Sequence, residues 1–233
     1  MKRILTILAI CSTMFLSSCD VLKQVASTFL TEQDAINGIK EMLTIGANGN
    51  ALISKESLMN AILPSEVNTV LQKLNQLGLS KDVDKFTNTL SNAASQTATN
   101  SIPVFAYGIK NMSITDAIGI VKNGGTSATD FLRNKIGDSL RNAVSPIMKT
   151  ALDQYKITQE WDKLVGPAKL LLGNKVKLNL NLDNILAGVV TNAMFTKIAE
   201  QETLIRTKAE ARTSPTLQKV FGRDWNNAGA VKQ

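Results

Sequence analysis

The longest helical pattern in the chain is DNILAGVVTNAMFTKIAEQETLIR, residues 183–206. Its apolar side chains recur every three or four positions and so share one helix face: Ile185, Leu186, Val189, Val190, Ala193, Met194, Ile198 and Ile205. Asp183 is suited to cap this helix, which we predict to be the longest of the chain. Glu202 and Arg206 have the spacing of a favourable ion pair on a helix surface. A broad apolar face must be buried, so this stretch predicts a protein of packed helices.

The same spacing recurs along most of the chain between residues 31 and 222. Helices are predicted to follow caps or proline starts at Thr31, Pro64, Ser80, Ser113, Ser127, Asp183 and Ser214, with a further short helix around Trp161. Ser127 and Asp130 have the spacing of a capping box. The apolar stripe after Ser127 continues through Pro146, which predicts a kinked helix or two abutting helices. The small polar residues 91–101 either let helices approach closely or form a frayed loop.

One short stretch departs from the helical period. Residues 175–182, KVKLNLNL, alternate polar and apolar side chains as an extended strand does. Because a lone strand has no partner in a helical domain, we favour an extended crossover that lays its apolar side chains on the helices. The alternative is an exposed edge that pairs with a partner's sheet or with a second copy. The sequence therefore predicts one all-α domain of about seven to nine helices, one or two of them kinked at a proline, with this single extended segment.

The N-terminus has the pattern of a bacterial lipoprotein signal. Lys2 and Arg3 precede the apolar residues 4–16, a run shorter than the roughly 20 residues that span a bilayer. Leu16-Ser17-Ser18-Cys19 follows, the form in which the cysteine is acylated and the chain is cleaved before it. We therefore predict an export signal over residues 1–18 and a lipid anchor at Cys19.

The predicted domain order follows from that anchor. A short linker reaches residue 30, the helical domain covers residues 31–222, and residues 223–233 form a flexible polar tail. Asp20 directly after the anchor signals retention in the inner membrane in some bacteria, but this rule differs between bacterial lineages. The expected location is therefore the periplasmic face of either the inner or the outer membrane. The oligomeric state stays open.

The residue types that carry much enzyme chemistry are missing from the predicted mature chain. Histidine is absent, and the two cysteines are Cys11, inside the signal, and Cys19. Histidine-based triads, thiol nucleophiles and His- or Cys-ligated metal sites are thereby excluded. The sequence also has no phosphate loop of known spacing, and we read Gly124-Gly125 as a helix stop rather than an anion cradle. We predict no cofactor, no metal ion and no catalytic residue.

The net charge of +7 does not indicate nucleic-acid binding. The basic residues are scattered, without the runs or interleaved aromatic residues typical of such proteins. Attraction to an anionic bilayer is the simpler consequence of the charge. The expected partners are the membrane, through the lipid on Cys19, and a protein of the cell envelope.

Several short sequence pieces follow one another in a characteristic order. They are Asp34-Ala35-Ile36, Ser113-Ile114-Thr115-Asp116, Ala128-Thr129 with Phe131 and Arg133, Ile198-Ala199-Glu200 with Glu202, Ile205-Arg206, Ala211-Arg212-Thr213 and Val220-Phe221-Gly222. In these pieces the chain resembles the bacterial family known as domain of unknown function 4197. The resemblance implies a helical exported protein and brings no activity with it. It places any polar site at Asp116, Arg133, Glu202, Arg206 and Arg212.

Three functions remain, and they make different demands on the structure. The anchor and the missing catalytic residue types favour a non-catalytic binding or scaffold module of the cell envelope. The alternative, a carrier or sensor of a lipid or small apolar ligand, needs an apolar cavity of several hundred Å³. A carboxylate-based hydrolase needs two acids about 5–10 Å apart in an open cleft, with Asp116, Asp130, Glu200 and Glu202 as candidates.

Overall fold

A computed structural model describes residues 29–49, 65–166, 182–227 and 230–231, which form eight α-helices and one pair of short strands. The helices are α1 (Glu32–Asn48), α2 (Ser65–Gln76), α3 (Ser80–Asn111), α4 (Ala117–Asn123), α5 (Ser127–Gln154), α6 (Ile157–Val165), α7 (Leu182–Thr207) and α8 (Pro215–Phe221). A 3-10 turn, Ala209–Ala211, follows α7, and β1 (Arg223–Asp224) pairs antiparallel with β2 (Ala230–Val231). For the described part of the chain, the predicted all-α class and helix number are confirmed.

Helix α7 lies at the centre of the domain. It packs chiefly against α5 and α1, and α3 packs against α5 and also contacts α7. The predicted apolar stripe of α7 is buried except at Ile185 and Ala193, which are half-buried. Phe195 on α7 meets Phe105 on α3 edge-on, with 5.5 Å between ring centroids. At Gly46 the backbone of α1 comes so close to α7 that a Cβ atom would lie 2.8 Å from the Cα of Ile198. None of the described helices combines the length and apolarity of a membrane span.

The longest described helix is α3, with 32 residues, and not α7, with 26. The prediction was wrong because residues 91–101 continue α3 instead of fraying. Among the hydroxyl groups of this stretch, that of Ser91 has no hydrogen-bond partner in the described residues, but two others are satisfied within the helix. Thr97 Oγ1 donates to the Ala93 carbonyl at 2.8 Å, and Ser101 Oγ donates to the Thr97 carbonyl at 2.7 Å. Both residues are buried. The small residues of this stretch therefore allow close helix packing and do not form a frayed loop, so the first of the two alternatives is realised.

Helix α5 is a single element with Pro146 inside it, so two abutting helices are excluded. The predicted capping box at its start is wrong. Ser127 Oγ donates to the Ile120 carbonyl at 2.7 Å, and the Asp130 carboxylate accepts from Thr126 Oγ1 at 3.0 Å, so neither side chain caps the backbone of α5. Asp183, predicted as a cap, lies in the first turn of α7, one residue after the helix begins.

Several predictions concern segments beyond the described residues. These segments are the signal over residues 1–18, Cys19, most of the linker, and residues 175–181 of the alternating stretch. At the other end, part of the predicted polar tail is ordered against the domain. Arg223 pairs with Val231, and Trp225 Nε1 donates to the Val220 carbonyl at 2.7 Å, which ties the chain after α8 back to that helix.

Candidate functional site

The carboxylate of Glu202 on α7 is fully buried and caps the N-terminus of α5. Its Oε1 accepts from the Ala128 N–H at 3.0 Å, and its Oε2 accepts from the Thr129 N–H at 2.8 Å and from Thr129 Oγ1 at 2.6 Å. The first N–H groups of a helix have no partner within the helix and carry partial positive charge. A carboxylate from a distant helix thus serves where a local capping box was predicted.

The guanidinium of Arg206, one turn further along α7, caps the C-terminal end of α4. It pairs with Glu202 Oε1 at 2.9 Å and donates to the carbonyls of Val121 and Ile120 at 2.9 and 3.1 Å. It also stacks on Phe221 of α8, 5.1 Å from the ring centroid. The ion pair predicted for a helix surface is therefore buried, and it bridges the end of α4 and the start of α5.

Arg212, after the 3-10 turn, extends the same network. Its Nε donates to the Ile205 carbonyl at 2.9 Å and its Nη2 to the Arg206 carbonyl at 3.2 Å, at the end of α7. All three charged side chains of this network are buried and bonded to the protein itself. Several pieces that carry the family resemblance meet here, including Ala128-Thr129 and Phe221. The network is a buried structural centre that joins α4, α5, α7 and α8.

Asp116, the fourth predicted site residue, lies apart from this network. It is exposed, has a left-handed backbone (φ 57°) and caps α4, where its Oδ1 accepts from the Gly119 N–H at 3.0 Å. Arg206 binds the opposite end of that helix. The other two acids considered for hydrolysis are also exposed: Asp130 accepts from Thr126, and Glu200 pairs with Lys197 at 2.8 Å. In the ranges that the structure describes, no three acidic, His or Cys side chains are grouped as a metal site would require.

Arg133, the fifth predicted residue, lines a groove of about 330 Å³ between α5 and α7. The α5 wall consists of Arg133, Asn134, Gly137, Asp138 and Arg141, and the α7 wall of Gly188, Thr191, Asn192 and Phe195. The Arg133 guanidinium lies 4.6 Å from the centroid of the Phe195 ring, and its Nη1 donates to Asn192 Oδ1 at 3.3 Å. The predicted polar residues are thus divided between a sealed network and a surface groove.

Arg141 is a groove residue that sequence reasoning missed. It lies over Gly188 of α7, where a Cβ atom would be 3.3 Å from its Nε, and its Nη2 reaches the Asn184 carbonyl at 3.5 Å. Arg133, Gly137 and Arg141 are spaced by four residues and share one face of α5. That spacing, a glycine between two arginines on one stripe, was the available signal.

Two features distinguish this groove from an ordinary helix contact. Neither Arg133 nor Arg141 lies in an ion pair with any residue that the structure describes, although Asp138 lines the same groove. Thr191 is 4% exposed, and its hydroxyl has no hydrogen-bond partner among the described residues. The groove lining therefore carries an excess of positive charge, and beside it lies one buried hydroxyl without a partner among the described residues.

Comparisons with known proteins identify the family and nothing further. Neither the curated proteins nor the solved structures give a significant match to the chain. Among protein families, the one described as "Protein of unknown function (DUF4197)" matches residues 29–222, which is most of the chain. The match spans α1 to α8 and both sites described above. The chain belongs to the DUF4197 family.

Proposed function

We propose that the protein is a membrane-anchored, non-catalytic binding module of the cell envelope, and that it holds its ligand in the groove between α5 and α7. The observation that carries the proposal is the groove itself. Its volume, about 330 Å³, falls within the range of small-molecule sites in proteins, about 300–1,000 Å³. Its walls come from two well-packed helices, a scaffold rigid enough to position binding groups.

The lining of the groove favours a polar ligand over the apolar one considered above. Arginine, asparagine, aspartate and threonine side chains surround it, and Phe195 is the single large apolar residue in the lining. An apolar ligand placed there would remove water from these groups without replacing their hydrogen bonds, which is unfavourable. The groove also contains one carboxylate, Asp138, whereas a glycosidase needs a pair.

The anchor part of the proposal rests on the N-terminal sequence. Lys2 and Arg3, the apolar residues 4–16 and the Leu16-Ser17-Ser18-Cys19 ending support export and acylation of Cys19. A domain tethered in this way faces the periplasm from the inner or the outer membrane. There it can bind a ligand, a protein partner or both without any chemistry of its own.

One experiment in the producing bacterium tests both parts. Cells fed an alkyne-tagged fatty acid are fractionated, and the protein is crosslinked and captured from the envelope. Wild-type protein is expected to carry the tag and to sediment with membranes, and Cys19→Ala is expected to lose the tag. Envelope partners recovered with wild type and lost with Arg141→Met would support the groove as the recognition site. An untagged wild-type protein would overturn the anchor, and recovery unchanged by Arg141→Met would overturn the groove's role in partner binding.

A further inference from the structure

The two arginines of the groove are arranged for a ligand that carries oxyanions. They are eight residues apart on α5, about 12 Å along a helix axis, and Gly137 lies between them without a side chain to fill the space. On the facing helix, Gly188 lets the Arg141 guanidinium lie close to the α7 backbone, with its Nε 3.3 Å from the place of a Cβ atom. Each guanidinium presents a planar fork of N–H donors that matches a carboxylate or a phosphate group.

Both guanidinium groups are positioned before any ligand binds. Arg133 is held by the Phe195 ring and by Asn192, as described above. Arg141 rests against the Gly188 backbone and has one long contact, 3.5 Å, to the Asn184 carbonyl. An arginine has five N–H donors, so most donors of these two side chains have no assigned acceptor in the described part of the chain. Positioning in advance lowers the entropy lost when a ligand is bound.

From these contacts we infer that the groove is a binding site for a small organic anion. Its carboxylate or phosphate oxygens are held by Arg133 and Arg141. The single opposing charge, Asp138, leaves the lining with one net positive charge. The inference rests on the proposed binding function and names the ligand class for the same groove. The anion is either a soluble metabolite or the headgroup of an anionic lipid, and both share this oxyanion chemistry.

Binding of defined probes to the acylated, full-length mature protein tests the inference. The protein is placed in phosphatidylcholine nanodiscs and titrated with glycerol 3-phosphate and with succinate by calorimetry. Arg141→Met removes one of the two guanidinium groups. Lys135→Met is the matched control, because Lys135 is an exposed cation on the same helix that does not line the groove.

The expected result is saturable binding of at least one probe. Arg141→Met should weaken it about tenfold or more, with Lys135→Met unchanged.

Two results would overturn the inference. They are no saturable binding of either probe in the millimolar range, and equal affinity of wild type and Arg141→Met. Replacing part of the phosphatidylcholine by phosphatidylglycerol separates the two ligand sources: a higher apparent Kd for the soluble probe assigns the groove to a lipid headgroup, and an unchanged Kd assigns it to a soluble anion. Failure here would leave acylation and partner capture unaffected, so it is distinguishable from failure of the proposed function.

Discussion

Replacing Glu202 by glutamine should destabilise the fold strongly, although the two side chains have nearly the same shape. The carboxylate accepts hydrogen bonds from Ala128 and from both donors of Thr129, and it is the charge partner of buried Arg206 at 2.9 Å. Glutamine removes the charge and turns an amide donor toward donors, which leaves the guanidinium of Arg206 buried without its counter-ion. Removal of one partner from a buried ion pair costs about 3–5 kcal/mol.

Chemical and thermal unfolding of the purified protein measure this effect. For a domain of this size, each kcal/mol lowers the melting temperature by about 2–4 °C, so Glu202→Gln should lower it by about 6–20 °C. Glu200→Gln is the matched control, because it makes the same change two residues earlier at an exposed ion pair with Lys197, where about 0–1 kcal/mol is expected. If the two variants unfold at the same temperature, the buried Glu202–Arg206 pair stabilises the domain no more than the exposed pair does, and the prediction is wrong.

Two further predictions concern stability at other places. A hydrogen bond from Lys219 holds the pKa of Asp34 below its ordinary value, so this carboxylate stabilises the fold above its unfolded pKa and loses that effect as the pH falls through its folded pKa. Asp34→Asn should therefore lower the unfolding free energy by about 0.5–1 kcal/mol at pH 7, as measured by urea titration. The difference between the variant and wild type should vanish in strong acid, and a difference independent of pH would contradict the prediction. Gly46→Ala should lower the unfolding free energy by about 1–3 kcal/mol, because its Cβ would lie 2.8 Å from the Cα of Ile198. Gly137→Ala, whose Cβ would be 3.7 Å from its nearest neighbour, should be neutral or stabilising. Thermal unfolding measures both, and equal effects of the two would refute the close helix contact at Gly46.

The two sites divide the polar residues of the domain into different tasks. Glu202, Arg206 and Arg212 join helix ends inside the protein, and their loss is expected to appear first as lost stability. Arg133 and Arg141 lie at the surface and have few partners in the described residues, so their loss is expected to appear as lost binding. A binding assay paired with a melting curve therefore separates the structural residues from the recognition residues.

Local patterns in the sequence predicted the elements whose physics is local. The three-to-four spacing of apolar residues predicted the helices, and two of the predicted local caps, at Thr31 and Ser214, are confirmed. Thr31 with Asp34 forms the capping box of α1, and Ser214 accepts from the Leu217 N–H at 3.1 Å to begin α8. The family was likewise readable from short pieces in order, and the predicted lipid anchor at Cys19 rests on such a local motif.

Tertiary packing decided which of these local options was realised. The spacing of Glu202 and Arg206 is the same for an ion pair at the surface and for a buried one. The pair is buried because α4 and α5 pack against it. The cap of α5 comes from a residue 74 positions away, Glu202 on Ala128, which no local pattern specifies. The groove exists because Arg133 and Arg141 on α5 face a stripe of α7 that carries Gly188. Periodicity tells which face of a helix is apolar, but the helix that covers that face is chosen by the packing of the whole domain.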